Sequence, residues 1–266
     1  MRGLIRSQFY SLFREKKLIL TVFVIITLVC GISAMVYAGD LLFTDVMYYD
    51  MELNASMLFG RCASDFALYG LIFTALIAGQ FAVCDFNDKT INYEIMAGHG
   101  RGEIFFSRVV VSVLLGGVGG TLVLFIVPFI DALKVGWGGS IQISTALLKV
   151  FMVFLLYCRV SAELIFFAVI LKQTRFVFVA EALSGLIELV LMIEAEGSKY
   201  IFAISAVGEI MNFNEFDLSH LDGKWEFFFD SAFEPFTTAA VSVGYIAAAA
   251  LFIFCAYKEF LRSDLD

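Results

Sequence analysis

Proline is scarce in this chain, with two residues in 266, and histidine is equally scarce, with His99 and His220 alone. Few prolines leave long helices uninterrupted. Five cysteines (Cys30, Cys62, Cys84, Cys158, Cys255) show no CxxC spacing and no His/Cys cluster, so neither a disulfide framework nor a metal centre can be read from them. The nucleotide-binding pattern GxxxxGK[ST] does not occur. HExxH and paired Glu-x-x-His motifs are missing too, which argues against an intramembrane protease. The chain is therefore not expected to be an enzyme or to bind a cofactor or metal directly.

What is present is apolar surface. The composition is 61% hydrophobic with thirty phenylalanines, and the mean hydropathy is +0.88. Runs of about 20 apolar residues, enough to cross a bilayer core, recur six times, at 18–38, 66–84, 109–130, 146–171, 176–195 and 236–257. The remaining segments are too short for a separate soluble domain. The expectation is one all-α integral membrane domain over 1–266 with six transmembrane helices. A β-barrel would instead alternate every second residue. Basic residues, an apolar run and Val36-Tyr37-Ala38 before Gly39 loosely resemble a signal peptide. The run from Leu18 is too long for a typical one, so an uncleaved first helix is expected.

The net charge of −8 becomes informative once it is sorted by side. With the N-terminus cytosolic, the inner segments hold Arg2, Arg6, Arg14, Lys16, Lys17, Lys89, Arg101, Arg108, Lys172, Arg175, Lys258 and Arg262. The outer ones hold Arg61, Lys134, Lys199 and Lys224, a division of 12 against 4. Acids run the other way, 14 outside and 8 inside. The asymmetry fits a multi-pass protein of the plasma membrane with both termini cytosolic, as an even number of spans requires. The acidic balance excludes a nucleic-acid binder. His99 and His220 fall on opposite sides, and no Ser/His/Asp set shares a depth.

Residues 1–17 read as an amphipathic interfacial helix, with Leu4, Ile5, Gln8, Phe9, Leu12 and Phe13 set against basic residues. A basic stop that merely orients the first span reads equally well. Gly116-x-x-x-Gly120 has the small-residue spacing that brings two helix backbones together, within the chain or against another subunit. The turn Lys172-Gln173-Thr174-Arg175 is short, so spans four and five are antiparallel neighbours. Acids mixed with aromatics over 196–235 suggest short outer helices between spans five and six.

Spans four and five carry Arg159, Glu163, Glu181 and Glu188 deep in the apolar runs, where ionisable groups are costly unless paired or wetted. Lys149 and Glu194 lie near the outer ends and are expected to snorkel. Arg159 and Glu163 are four apart on one helical face. Depth matching sets Arg159 beside Glu188 and Glu163 beside Glu181. An Arg159–Glu188 pair is a brace for helix packing, or part of a translocation path. Glu163 and Glu181, with no second cation at their depth, are candidates for proton coupling or for contact with a cationic substrate.

The longest cytosolic connection, DFNDKTINYEIMAGHGRGEIFFSR from Asp85 to Arg108, interleaves apolar and polar residues. Asp88 can cap a short helix starting near Lys89. Gly98, Gly100 and Gly102 then break the chain before Glu103 starts a new helix that leads into span three. Such a helix can be gripped by a soluble partner; an ordinary interfacial loop has the same look. The run Phe86…Lys89-Thr90-Ile91…Gly98…Arg101-Gly102-Glu103-Ile104-Phe105-Phe106-Ser107-Arg108 resembles the permeases of the ABC-2 type, in particular the bacitracin- and lantibiotic-export branch. Lys89 stands where glycine is usual, and Arg108 where lysine is common. The layout of spans, interfacial helix and long outer segment is similar as well.

The resemblance implies a coupling helix over 86–98. Phe86, Lys89, Thr90, Ile91, Tyr93, Glu94, Ile95, Met96 and Arg101 would meet two separate ABC ATPase subunits, which would hold the ATP and Mg and hydrolyse the ATP. A second permease subunit, identical or related, would complete the path through the lipid bilayer. Substrate does not follow from such a likeness. The charge-poor spans suit amphipathic peptides or other hydrophobic compounds such as antimicrobials. Two readings compete: an ATP-independent ion- or proton-coupled transporter using the intramembrane Glu and Arg residues, and a non-transporting membrane sensor.

Overall fold

The computed structural model describes residues 2–14, 24, 59, 70–79, 81–82, 90–137, 142–194, 206, 210 and 235–262. Among these, every regular element is an α-helix. In chain order they are α1 (Arg2–Arg14), α2 (Gly70–Gly79), α3 (Thr90–Met96), α4 (Arg101–Val135), α5 (Ile143–Leu171), α6 (Thr174–Glu194) and α7 (Pro235–Arg262). Expected span 18–38 and the outer helices of 196–235 lie outside the described residues, apart from Val24, Ala206, Ile210 and Pro235.

Helix ends follow local chemistry. α4 begins after Gly100, whose backbone is extended, and carries Glu103 in its first turn, where a negative charge suits the helix dipole. It stops at Gly136, held at φ +89 with its amide donating to the Ala132 carbonyl; that left-handed backbone is one glycine adopts without a Cβ clash. α5 ends differently. Lys172 takes the left-handed conformation at φ 53, and its amide donates to Ala168 O at 3.0 Å. Two residues later α6 begins, so the short turn read from the sequence is present. Pro235 opens α7, where its missing N–H leaves no bond unmade.

Among the described residues, three helical stretches are long and apolar enough to cross a bilayer, namely Arg101–Ile126, Ile143–Leu171 and Thr238–Arg262. They mark the chain as a membrane protein. The expected run 109–130 is therefore the middle of a longer helix that starts at Arg101.

α5 is the hub. It packs on α4, α6 and α7, and Met152, Val153, Leu156, Tyr157, Ala162, Leu164 and Ala168 are fully buried along it. An apolar helix covered from several sides is a core helix, not an amphipathic one. α7, by contrast, leaves Val243, Ile246, Leu251 and Phe254 exposed along its outer face.

One end of the bundle gathers the starts of α4 and the ends of α5 and α7. Ala82, Phe105, Ser112, Ile165, Ala168 and Phe260 line one small apolar cavity there. Phe105 lies 5.4 Å, centroid to centroid, from both Tyr257 and Phe260, and Phe106 lies 5.2 Å from Tyr257. α4 is thus antiparallel to α5 and α7. α1 docks at the same end through buried Leu4 and Gln8, with Gln8 Nε2 donating to Ser107 Oγ at 3.2 Å. Toward the other end of α4, Phe59 stacks on Phe125 at 5.0 Å and meets Trp137 edge-on.

Candidate functional site

Four glycines decide how closely the helices approach. A Cβ at Gly116 would meet Ser161 Oγ and, at 3.1 Å, Ala78; one at Gly120 would meet Thr74 Oγ1, Tyr157 and the Gly70 carbonyl at 3.1 Å. A Cβ at Gly117 would meet Cys158 Sγ at 2.6 Å, and one at Gly119 would meet the Phe73 ring at 2.8 Å. The Gly116/Gly120 spacing therefore works within the chain, seating α4 against α2 and α5. At that distance Thr74 Oγ1 donates to Gly116 O (3.1 Å) and Ser112 Oγ to Ala78 O (3.2 Å).

A separate, largely buried polar network lies between α5 and α6. Arg159 Nη2 donates to Glu188 Oε1 at 2.9 Å, so the pair read from depth matching forms. The same nitrogen lies 3.8 Å from Glu163 Oε2. Glu163 accepts a hydrogen bond from Ser184 Oγ at 2.7 Å. Ser184 makes that hydrogen bond, and Glu181 lies within electrostatic reach of Glu163, as depth matching expects. Glu181 sits one turn earlier on the same face of α6, half-buried, with its Oε2 shut from water and without a hydrogen-bond partner among the described residues. The unit holds one cation and three carboxylates. Among the described residues, no three His, Cys, Asp or Glu side chains converge as a metal ion would need.

Lys149 departs from expectation. It does not snorkel: its side chain is 1% exposed. It lies two turns inside α5 on a face that also buries Ala146, Met152, Val153 and Leu156.

The second polar assembly is at the basic end. α3 is a separate short helix, as the sequence suggests, ended by Gly98 at φ +90. Of the candidate coupling residues, Phe86 and Lys89 lie outside the described residues, and Thr90 opens the helix. Ile91 is buried at 2% exposure and Ile95 packs partly against the core, whereas Tyr93 (68%) and Met96 (74%) stand out from the protein. Arg101 is exposed at the start of α4. Glu94 reaches back to α4, its Oε2 lying 2.9 Å from Arg108 Nη1 in an ion pair whose contacting atoms are both shut from water.

The Glu94–Arg108 pair was not legible in the sequence, although both residues were in view. Its signal is weak: an acid inside a short helix and a cation two turns into the next. The Ser184 contact had a clearer one, since Glu181, Ser184 and Glu188 recur at three- and four-residue steps as a polar stripe on an apolar helix.

No protein-family model matches this chain, and no curated protein matches it.

Proposed function

We propose that the chain is the membrane-spanning permease subunit of an ATP-driven ABC exporter, of the ABC-2 type its sequence resembles. It crosses the plasma membrane six times, with both termini cytosolic, and α3 is its coupling helix. Two separate ATPase subunits hydrolyse the ATP and press on α3 and α1. A second permease subunit, identical or related, completes the path for amphipathic peptides or other hydrophobic compounds such as antimicrobials.

One observation carries this reading. At the end where Arg6, Arg101, Arg108, Lys172, Arg175, Lys258 and Arg262 collect, a short helix is anchored by Ile91 and Glu94 while it turns Tyr93 and Met96 away from the bundle. A basic end is the cytosolic end under the positive-inside rule. Two large exposed side chains on an anchored helix are what a docking partner grips.

Co-purification tests it. The wild-type chain is expected to bring down a soluble subunit with a nucleotide-binding loop, and Tyr93→Asp/Met96→Asp to lose it while the permease itself stays folded. A wild-type preparation that binds no such subunit, in any detergent or lipid, contradicts the reading. Ile91→Asp is a poor probe, because burying a carboxylate there unseats α3 itself.

Arg159, Glu163, Glu181 and Glu188 favour a second reading, an ATP-independent ion- or proton-coupled transporter, through the buried Glu181 oxygen. It predicts flux that follows a pH gradient and survives ATP depletion; the exporter reading predicts that depletion stops flux. A pure sensor would show no flux under either condition.

A further inference from the structure

We propose that Glu94 and Arg108 are positioning residues, a latch that makes α3 and the first turns of α4 one mechanical piece. A push on α3 then tilts α4 instead of folding the link between them. The proposal rests on the reading of α3 as the helix a partner presses.

The link is the reason a latch is needed. Gly98, His99 and Gly100 are exposed, and a Cβ at either glycine would meet nothing within 4 Å. The amides of Ala97, Gly98 and His99 bond back to Tyr93, Ile95 and Glu94 carbonyls, closing the end of α3 without reaching α4. Glycine turns with no packing on either side bend readily. Ile91 anchors α3 by burial, which is non-directional. The Glu94 Oε2–Arg108 Nη1 ion pair at 2.9 Å, though not aligned as a hydrogen bond, ties two particular side chains together, and its atoms are screened from water, where an ionic contact is strengthened by the low local dielectric. The neighbouring residue, Ser107, accepts the hydrogen bond from Gln8 of α1. Successive positions of α4 thus hold both peripheral helices, so α1, α3 and α4 move together.

The test uses the full chain in lipid nanodiscs, with its co-purified ATPase subunit, comparing Glu94→Gln, Arg108→Met and the swap Glu94→Arg/Arg108→Glu. Each single variant is expected to retain the bound subunit, since the Glu94 carboxylate turns inward to Arg108, which takes it out of the partner-facing set, and Tyr93 and Met96 are untouched. Each should lose about tenfold of the stimulation of ATP hydrolysis that the permease confers, and the swap should recover most of it. Unchanged stimulation, or loss of the subunit itself, overturns the latch. A second arm needs no partner: amide exchange over 90–97 in the permease alone should speed about tenfold in the single variants and slow again in the swap. If wild type binds no ATPase, the exporter reading fails, and this arm decides the latch alone: unchanged exchange overturns it. Should Arg108→Met not fold, Glu94→Gln, which removes the charge but keeps the shape, carries both arms.

Discussion

Arg159 carries its charge on the most covered helix of the bundle, where a cation is tolerated through its partners. Arg159→Met leaves Glu188 and Glu163 buried without a cation, and is expected to destabilise the protein by about 3–5 kcal/mol. Arg159→Met/Glu188→Gln should recover much of that loss, read as the thermal unfolding midpoint in detergent. Equal damage in single and double variants would deny the pairing. This pair was legible because two facts fix it: a short antiparallel turn and a constant rise per residue. Arg159 stands 13 positions before Lys172 and Glu188 stands 13 after Arg175. By the same rule Glu163, nine before Lys172, falls level with Ser184, nine after Arg175; a serine attracts less notice than an acid, so the expectation named Glu181, which does interact with Glu163, and passed over Ser184. Lys149 escaped for another reason. Its burial depends on helices distant in sequence that close over α5, and no local spacing encodes them.

Among the elements, α4 is the one most constrained by what it lacks. Its glycines accept α2 and α5 at backbone distance, so added methyl groups test the packing position by position. Gly116→Ala meets the Ser161 hydroxyl, which can rotate aside, and the Cβ atoms of Ala78 at 3.1 Å and Ser161 at 3.2 Å, which need to give by only a few tenths of an ångström. Gly120→Ala meets the Gly70 carbonyl at 3.1 Å and the fully buried Tyr157 ring at 2.8 Å, neither of which can give way easily. Gly120→Ala is expected to cost about 1–3 kcal/mol and Gly116→Ala clearly less, measured side by side by thermal unfolding. The reverse order would mean that the α2–α4 contact is looser than described. The GxxxG pattern announced a close contact; which helices it served was open, since the spacing reports a smooth surface and not the partner. In α3, the sequence located the helix and its glycine stop. It did not reveal that Ile91 faces inward and Tyr93 and Met96 outward, because a seven-residue helix offers too few turns to define a face.

For the whole molecule, the clustering at one end is the main consequence of the fold. α1, α3, the start of α4 and the ends of α5 and α7 meet there, and these stretches carry Arg6, Arg101, Arg108, Lys172, Lys258 and Arg262. Charge sorting along the sequence grouped these same segments on one side, because the rule that sorts loops by sign acts on short segments and not on tertiary contacts. A single cysteine replacing Met96 in a cysteine-free chain is expected to react with a membrane-impermeant maleimide in inverted vesicles and not on intact cells. The central claim, that this chain is moved from the cytosol by another subunit's ATP hydrolysis, is tested most directly by a photo-crosslinking residue at Tyr93 in living cells. The account predicts an adduct with a soluble chain whose peptides include a nucleotide-binding loop. Adducts to lipid alone, or to a protein on the outer face of the membrane, would contradict it.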